Sequence, residues 1–323
     1  MGNQPFSTSH LVVLTAGNFF VATSFFVVGG LLNEIAAALG VGIEQAGLLI
    51  AAIGISAAVC APVLATLGSR IDRRLLLTAS MAVCAVANLF AALSQSYEQL
   101  MVARVLAAIT SAVYTPQVAA TASALVSEEE RAPMLAKLMI GWAIGSVAGN
   151  PLSVLVGTQF GWRISFAAIG IASFIVAIFV WRAIPAGVRV APLSLERWYR
   201  VFKAPTLRWL TLATAFTSIG GMAMLSFIAP IVKAVQGITG SALAALFFIA
   251  GIGGLIGNVL SVRLVRRFGA AAIAYKCNIV TGVMLLIWPV FAQWFICIYI
   301  MQFLWSLRSE EHTSELQSHY SIS

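Results

Sequence analysis

The chain is 323 residues long, 60% apolar and only 9% charged, with a net charge of +8. Soluble domains carry about 25% charged residues, so a chain this poor in charge, with a mean hydropathy of +0.96, lacks the polar surface to face water and belongs in lipid. The basic excess does not mark a nucleic-acid binder, because it is spread over short connections and forms no groove-sized patch.

Apolar runs follow one another at about 11–33, 45–67, 75–95, 100–126, 134–157, 164–184, 209–232, 241–262 and 271–291, with a shorter one at 294–307. Most approach the ~20 residues that carry an α-helix across the hydrocarbon core. Helices are the expected structure, since open strands would leave backbone groups unpaired in lipid. The short alternating segments of a membrane barrel do not occur. The first run is long and no small-residue cleavage site follows it, so it is expected to remain as the first transmembrane helix. Cys60, Cys84, Cys277 and Cys297 lie inside apolar runs at no metal-ligand spacing and are expected to act as small hydrophobes. No metal and no cofactor is expected.

The pattern R-x-x-R-R closes the second run as Arg70, Arg73 and Arg74, and closes the eighth as Arg263, Arg266 and Arg267. Its recurrence six runs later predicts two parallel six-helix halves, an architecture frequent among secondary transporters. With the N-terminus in the cytoplasm, the inner connections hold these arginines together with Arg131, Lys137, Arg182, Arg189, Arg197, Arg200, Lys203 and Arg208. The outer connections hold only Arg163 and Lys233. That asymmetry satisfies the positive-inside rule. The loop arginines either signal topology alone or lock helix ends against Asp72, Glu128, Glu129 and Glu130.

The predicted organisation is a six-helix bundle at 1–184, a central cytoplasmic loop at 185–208 and a partial second bundle at 209–307. Pro185, Pro192 and Pro205 punctuate the loop, Trp198, Tyr199 and Trp209 suit the headgroup zone, and 193–202 is expected as a surface-lying amphipathic helix. At Arg308 the composition changes abruptly. The run RSEEHTSELQSH resembles a translated sequencing-library adapter, so 308–323 is expected to be non-native, and His312 and His319 are not metal-ligand candidates. The last run then spans about 21 Å of a ~30 Å core. The fold class is therefore an all-α membrane protein of two six-helix bundles, the second incomplete, with about 9–10 of 12 helices present.

Gly141, Gly145 and Gly149 recur every fourth residue and present one face without side chains, open to close helix approach. Pro151 removes a backbone donor and is expected to kink that helix. The face is either a hinge or ordinary small-residue packing. Arg104 lies several residues inside the fourth run, where a charge costs a few kcal/mol. It faces the bundle interior together with Ala108, Ser111 and Thr115, or it snorkels to the outer interface. GIGGLIG at 251–257 lies inside an apolar helix with no preceding strand, which excludes a dinucleotide loop. No Walker loop is present and no enzyme is expected.

Three stretches carry a family resemblance: LGSRIDRRLLL at 67–77, Arg104 within VARVLAAITSAVYTPQ, and GWAIGSVAGNPLSVLVGTQFGWRISF at 141–166. SFIAPIV and GIGGLIGNVL add to it. Over nearly all of 11–307 the chain resembles the major facilitator superfamily, in its drug and sugar efflux branch. The resemblance implies alternating access, with Gly141, Gly145, Gly149, Asn150 and Pro151 as the antiporter motif, and Arg104 in proton coupling and substrate binding. It makes Arg70, Asp72, Arg73, Arg74, Arg263, Arg266 and Arg267 the gate loops. It places the solute path along the first, fourth and seventh helices, where Asn18, Thr23, Tyr114, Gln117, Thr217 and Ser218 are polar at depth. Met222 and Met224 would supply an adaptable apolar wall, fitting a small neutral or lipophilic solute.

The chain departs from the family pattern. Phe25 stands where relatives carry an acid, Asn33 where proline is usual, and Ile53 where tyrosine is frequent. Ser69 and Asp72 replace the usual aspartate and glycine. Glu34, Glu44, Asp72, Glu98, Glu128, Glu129, Glu130 and Glu196 all fall at span ends or in loops, so the proton site is missing, lies at Glu34, or sits in helices beyond 307. The expected function is export of small molecules, with proton antiport implied by the family. A non-transporting sensor or scaffold and an uncoupled facilitator stay open. The expected partners are the lipid bilayer, a small solute and protons. The expected state is a monomer in the bacterial inner membrane.

Overall fold

The computed structural model describes residues 7–68, 71–188, 205–268 and 270–307. Among them every regular element is helical. The helices are α1 (Thr8–Gly30), α2 (Leu32–Leu39), α3 (Ile43–Gly68), α4 (Arg73–Leu93), α5 (Tyr97–Leu125), α6 (Glu128–Ile144), a π turn (Gly145–Gly149), α7 (Asn150–Phe160) and α8 (Trp162–Ala183). Then come α9 (Pro205–Gln236), α10 (Gly240–Phe268), α11 (Ala270–Phe291) and α12 (Phe295–Ser306). The stretches 189–204 and 308–323, on which the surface helix and the non-native tail are expected, lie outside the described residues.

Eight helical segments are long and apolar enough to cross a membrane among the described residues: six in 8–183, with α6, the π turn and α7 acting as one, and two in 218–257. Two further apolar segments, Gly282–Phe291 and Phe295–Ser306, are shorter. Helices α1, α4 and α5 begin two or three residues before their apolar runs because their starts are polar and capped. Ser7, Asp72 and Ser96 each accept a backbone N–H of the first turn. Helix α1 stops at Gly30, short of the expected 33, because Leu31 breaks regular geometry and a short helix, α2, restarts there.

The chain divides into two compact units, Met1–Ser194 and Leu195–Ser323. In the first, α4 packs against α8 and α5, α3 against α5, and α1 against α6, α8 and the π turn. Leu14, Val21, Leu77, Met81, Tyr114, Val118, Val176 and Val180 form its buried core. In the second, α10, α11 and α12 pack on one another. Gln236 of α9 donates to the carbonyls of Ala292 and Gln293 in the turn before α12.

Candidate functional site

Arg104 sits in the second turn of α5 and is 1% exposed. It points inward, not to the outer interface. Its Nη2 donates to the carbonyl of Ser24 at 2.9 Å and that of Phe25 at 3.4 Å, and the guanidinium lies 5.7 Å from the Phe166 ring centroid. Both acceptors are backbone oxygens of α1. Behind them lies a buried polar cluster from α1, α4 and α8. Asn88 donates to Ser24 Oγ at 2.9 Å and to the Cys84 carbonyl at 2.8 Å, and Ser24 Oγ donates back to Asn88 Oδ1 at 3.1 Å. Ser173 Oγ reaches Cys84 Sγ at 3.6 Å.

A cavity opens beside this cluster, lined by Val21, Ser24, Phe25, Ile53, Cys84, Ala107, Thr110 and Ser111. Its volume of about 10 Å³, measured to the centre of a water-sized sphere, is at the threshold for one water molecule. It is far too small for a solute in this conformation. Sequence reasoning singled out Ser111 but missed Ser24, Cys84, Asn88, Thr110 and Ser173. The available signal was Asn88, an amide at mid-membrane depth that must find a partner.

The four solute-path residues of the first unit are each engaged in helix packing or hydrogen bonding, and none of them lines that cavity. Asn18 donates to the Leu138 carbonyl and accepts from Thr115 Oγ1, both at 3.0 Å, tying α1 to α6 and α5. Thr23 Oγ1 donates to Phe19 O at 2.8 Å. Tyr114 is fully buried against Gly17, where no Cβ would fit. Gln117 accepts from Arg73. In α9, Ser218 is half-buried, as are Met222 and Met224; the side chain of Thr217 lies outside the described residues.

The glycine face meets α1. A Cβ on Gly141 would collide with the Thr15 carbonyl, and one on Gly149 with Thr23 Oγ1; on Gly145 it would stand 2.6 Å from the Phe19 carbonyl oxygen. Small residues let the two backbones touch here. Pro151 does not simply bend the helix. The turn before it widens to π, with Asn150 N–H bonded to the carbonyl of Gly145, five residues back, which takes up the ring that would clash in a regular turn. Asn150 is buried and its Oδ1 has no hydrogen-bond partner.

In the first R-x-x-R-R loop Arg70 lies outside the described residues. Asp72 caps α4 by accepting from Arg74 N at 2.8 Å, and accepts from the Gly187 amide as well. Arg73 N donates to Val188 O at 3.1 Å, while its side chain, 1% exposed, reaches Gln117 of α5. Arg74 stacks 4.2 Å over Trp181. The glutamates after α5 bond locally instead: Glu128 pairs with Arg131 at 3.2 Å, and Glu130 accepts from Ser127. In the second copy Arg263 and Arg267 are exposed and Arg267 lies 5.3 Å from the Phe268 ring; the side chain of Arg266 lies outside the described residues.

The chloramphenicol resistance protein of Streptomyces lividans is 32% identical over 290 residues, covering 88% of this chain and 72% of that protein. The putative transporter AraJ of Escherichia coli is 25% identical over 82% of this chain and 67% of its own length. The inner membrane transport protein YdhP of the same organism is 27% identical over 80% and 66%. The chain thus spans about two thirds to three quarters of these relatives. Among solved structures, a bacterial homologue of the human lysosomal transporter Spinster, inward-facing and unoccupied, aligns with a TM-score of 0.73 at 21% identity over 97% of this chain and 76% of that one. The D-xylose-proton symporter aligns with a TM-score of 0.68 at 14% identity over 93% and 80%. Both support the fold alone. The Major Facilitator Superfamily family model matches residues 14–309, and the chain belongs to that superfamily of multi-pass membrane transporters.

Proposed function

We propose that this chain is the larger part of an exporter of small neutral or lipophilic solutes, driven by proton antiport across the bacterial inner membrane, with its N-terminus in the cytoplasm. Its proposed organisation is a bundle at 1–184, a cytoplasmic connection at 185–208 and part of a second bundle from 209. The observation that carries the reading is the Gly141, Gly145 and Gly149 face seated on α1 beside the π turn. Such a contact lets two helices move as one rigid body, as alternating access requires. The relatives' names, chloramphenicol resistance protein and putative transporter, support export.

The test is expression of the full-length gene in drug-sensitive bacteria. Accumulation of chloramphenicol or of a lipophilic dye should fall, and an uncoupler should restore it. Arg104→Ala should abolish the effect while the protein still inserts. Unchanged accumulation across a panel of such solutes, with the protein present in the membrane, rejects export. Downhill facilitation is the second reading, favoured by the position of every carboxylate among the described residues at a helix end or in a loop. Solute flux without proton flux in proteoliposomes would select it.

A further inference from the structure

The last arginine of each R-x-x-R-R copy rests on an exposed aromatic ring. In the first unit Arg74, in the first turn of α4, lays its guanidinium 4.2 Å over the Trp181 ring, near the end of α8. Arg74 Nε is buried with no hydrogen-bond partner. A second cation, Arg182, follows Trp181 in the chain; it is exposed and makes no hydrogen bond or ion pair among the described residues. In the second unit Arg267, in the last turn of α10, lies 5.3 Å from the Phe268 ring centroid, and the Lys276 ammonium of α11 lies 5.2 Å from the same centroid. Arg267, Phe268 and Lys276 are all exposed. Each unit thus gathers two cations around one ring, and the cations repel each other unless an anion joins them.

The described residues supply no such anion. Asp72 commits one oxygen to the Arg74 amide and the other to the Gly187 amide. No acid occurs between Glu196 and Glu310. The one ion pair among the described residues joins Arg131 to Glu128, so neither Arg74 nor Arg267 locks onto a carboxylate there. The surroundings indicate what does join them. Ile178 and Ile175 lie one and two turns back along α8 from Arg182, and Val280 and Val283 one and two turns on along α11 from Lys276. All four are exposed. An apolar strip leading away from paired cations at a helix end matches acyl chains running from a phosphate, and exposed rings suit that depth. We propose that Arg74 with Arg182, and Arg267 with Lys276, form two sites for the phosphate of an anionic glycerophospholipid, one in each unit. Trp181 and Phe268 are the shelves that hold each arginine flat. The guanidinium fork grips the phosphate oxygens, and the second cation balances the headgroup's charge. The sites go beyond the export reading and need only the chain's place in the membrane.

The test is native mass spectrometry of the delipidated full-length protein, with phosphatidylglycerol, phosphatidylcholine or glycerol 1-phosphate added back at equal concentration. Two phosphatidylglycerol molecules should be retained, each roughly 30-fold more tightly than phosphatidylcholine, as two cations at a charged surface predict. Arg74→Gln should release one and Arg267→Gln the other, and the double variant should retain neither above the phosphatidylcholine level. Arg182→Gln and Lys276→Gln change exposed side chains and should each weaken one site about fivefold; they decide if an arginine variant does not fold. Equal retention of the two lipids overturns the proposal, as does selective retention of two phosphatidylglycerols by the double variant. Glycerol 1-phosphate bound as tightly as the lipid also overturns it, since the cations then read a free phosphate. A loss in the variants of one unit alone confines the site to that unit and overturns it in the other.

Discussion

Arg163 illustrates how much one cation at a helix end can do. Its Nε and Nη2 donate to the Ser94 carbonyl at 3.3 and 2.9 Å, where α4 ends, and its guanidinium lies 4.3 Å from the Trp162 ring centroid. Gly161 makes the approach possible with φ at 97°, a conformation that side chains resist. The GWR turn therefore joins the start of α8 to the end of α4. Arg163→Ala should cost about 1 kcal/mol, the usual worth of a cation at a helix C-terminus, and Arg163→Lys should recover only part of it because it loses the forked donor geometry. Unfolding midpoints in detergent measure both; a midpoint unchanged in Arg163→Ala removes the cap from the account. Arg104 was legible in the sequence as a charge at depth. Its partners were not, because Ser24 and Phe25 act through backbone carbonyls, which leave no trace in side-chain identity.

At the level of elements, the close approach of α6 to α1 was legible as a four-residue glycine repeat. The helix that would use it was not, since spacing describes one face and is silent on what covers it. The contact makes a sharp prediction. Gly145→Ala drives a methyl to 2.6 Å from the Phe19 carbonyl and 2.8 Å from Ala22 Cβ, so it should destabilise by about 1–3 kcal/mol, the range of overpacked cores. Gly220→Ala in α9 meets open space and should be neutral or slightly stabilising, as alanine favours helix over glycine. Equal midpoints for the two variants would contradict the packing described. Helix starts moved outward by two or three residues at α4 and α5 because hydropathy begins at the apolar core, whereas the helix begins at a cap such as Asp72 or Ser96. The π turn had no signature beyond Pro151 itself.

For the whole molecule, the class of fold followed from composition, because so little charge admits only lipid-facing helices. Orientation rests on the uneven distribution of basic residues over the two sides and yields a direct check. In a background without native cysteines, Gln95→Cys should react with an impermeant thiol reagent added to intact cells. Glu129→Cys should react only after the membrane is opened. Both positions are exposed, Gln95 in the loop before α5 and Glu129 in the first turn of α6, and the reverse labelling pattern inverts the topology. Function was less legible than fold. A solute is chosen by the shape of a cavity; of the polar residues expected to shape one, Asn18 and Tyr114 pack α1 against α5 and α6, Thr23 bonds within α1 and Gln117 accepts from Arg73.

The hold of Asp72 and Arg73 on Gly187 and Val188 has a practical corollary for anyone cutting or extending this polypeptide. Beyond Ala183, where the helix runs out, Gly187 and Val188 are still fastened back to the first R-x-x-R-R loop. A protease site or fluorescent fusion spliced in after Val188 should leave that seam whole and preserve yield on fluorescence-monitored gel filtration. The same graft between Ala183 and Gly187 should tear it and shift the protein to aggregate. Should both junctions behave alike, the seam contributes nothing to holding the bundle shut.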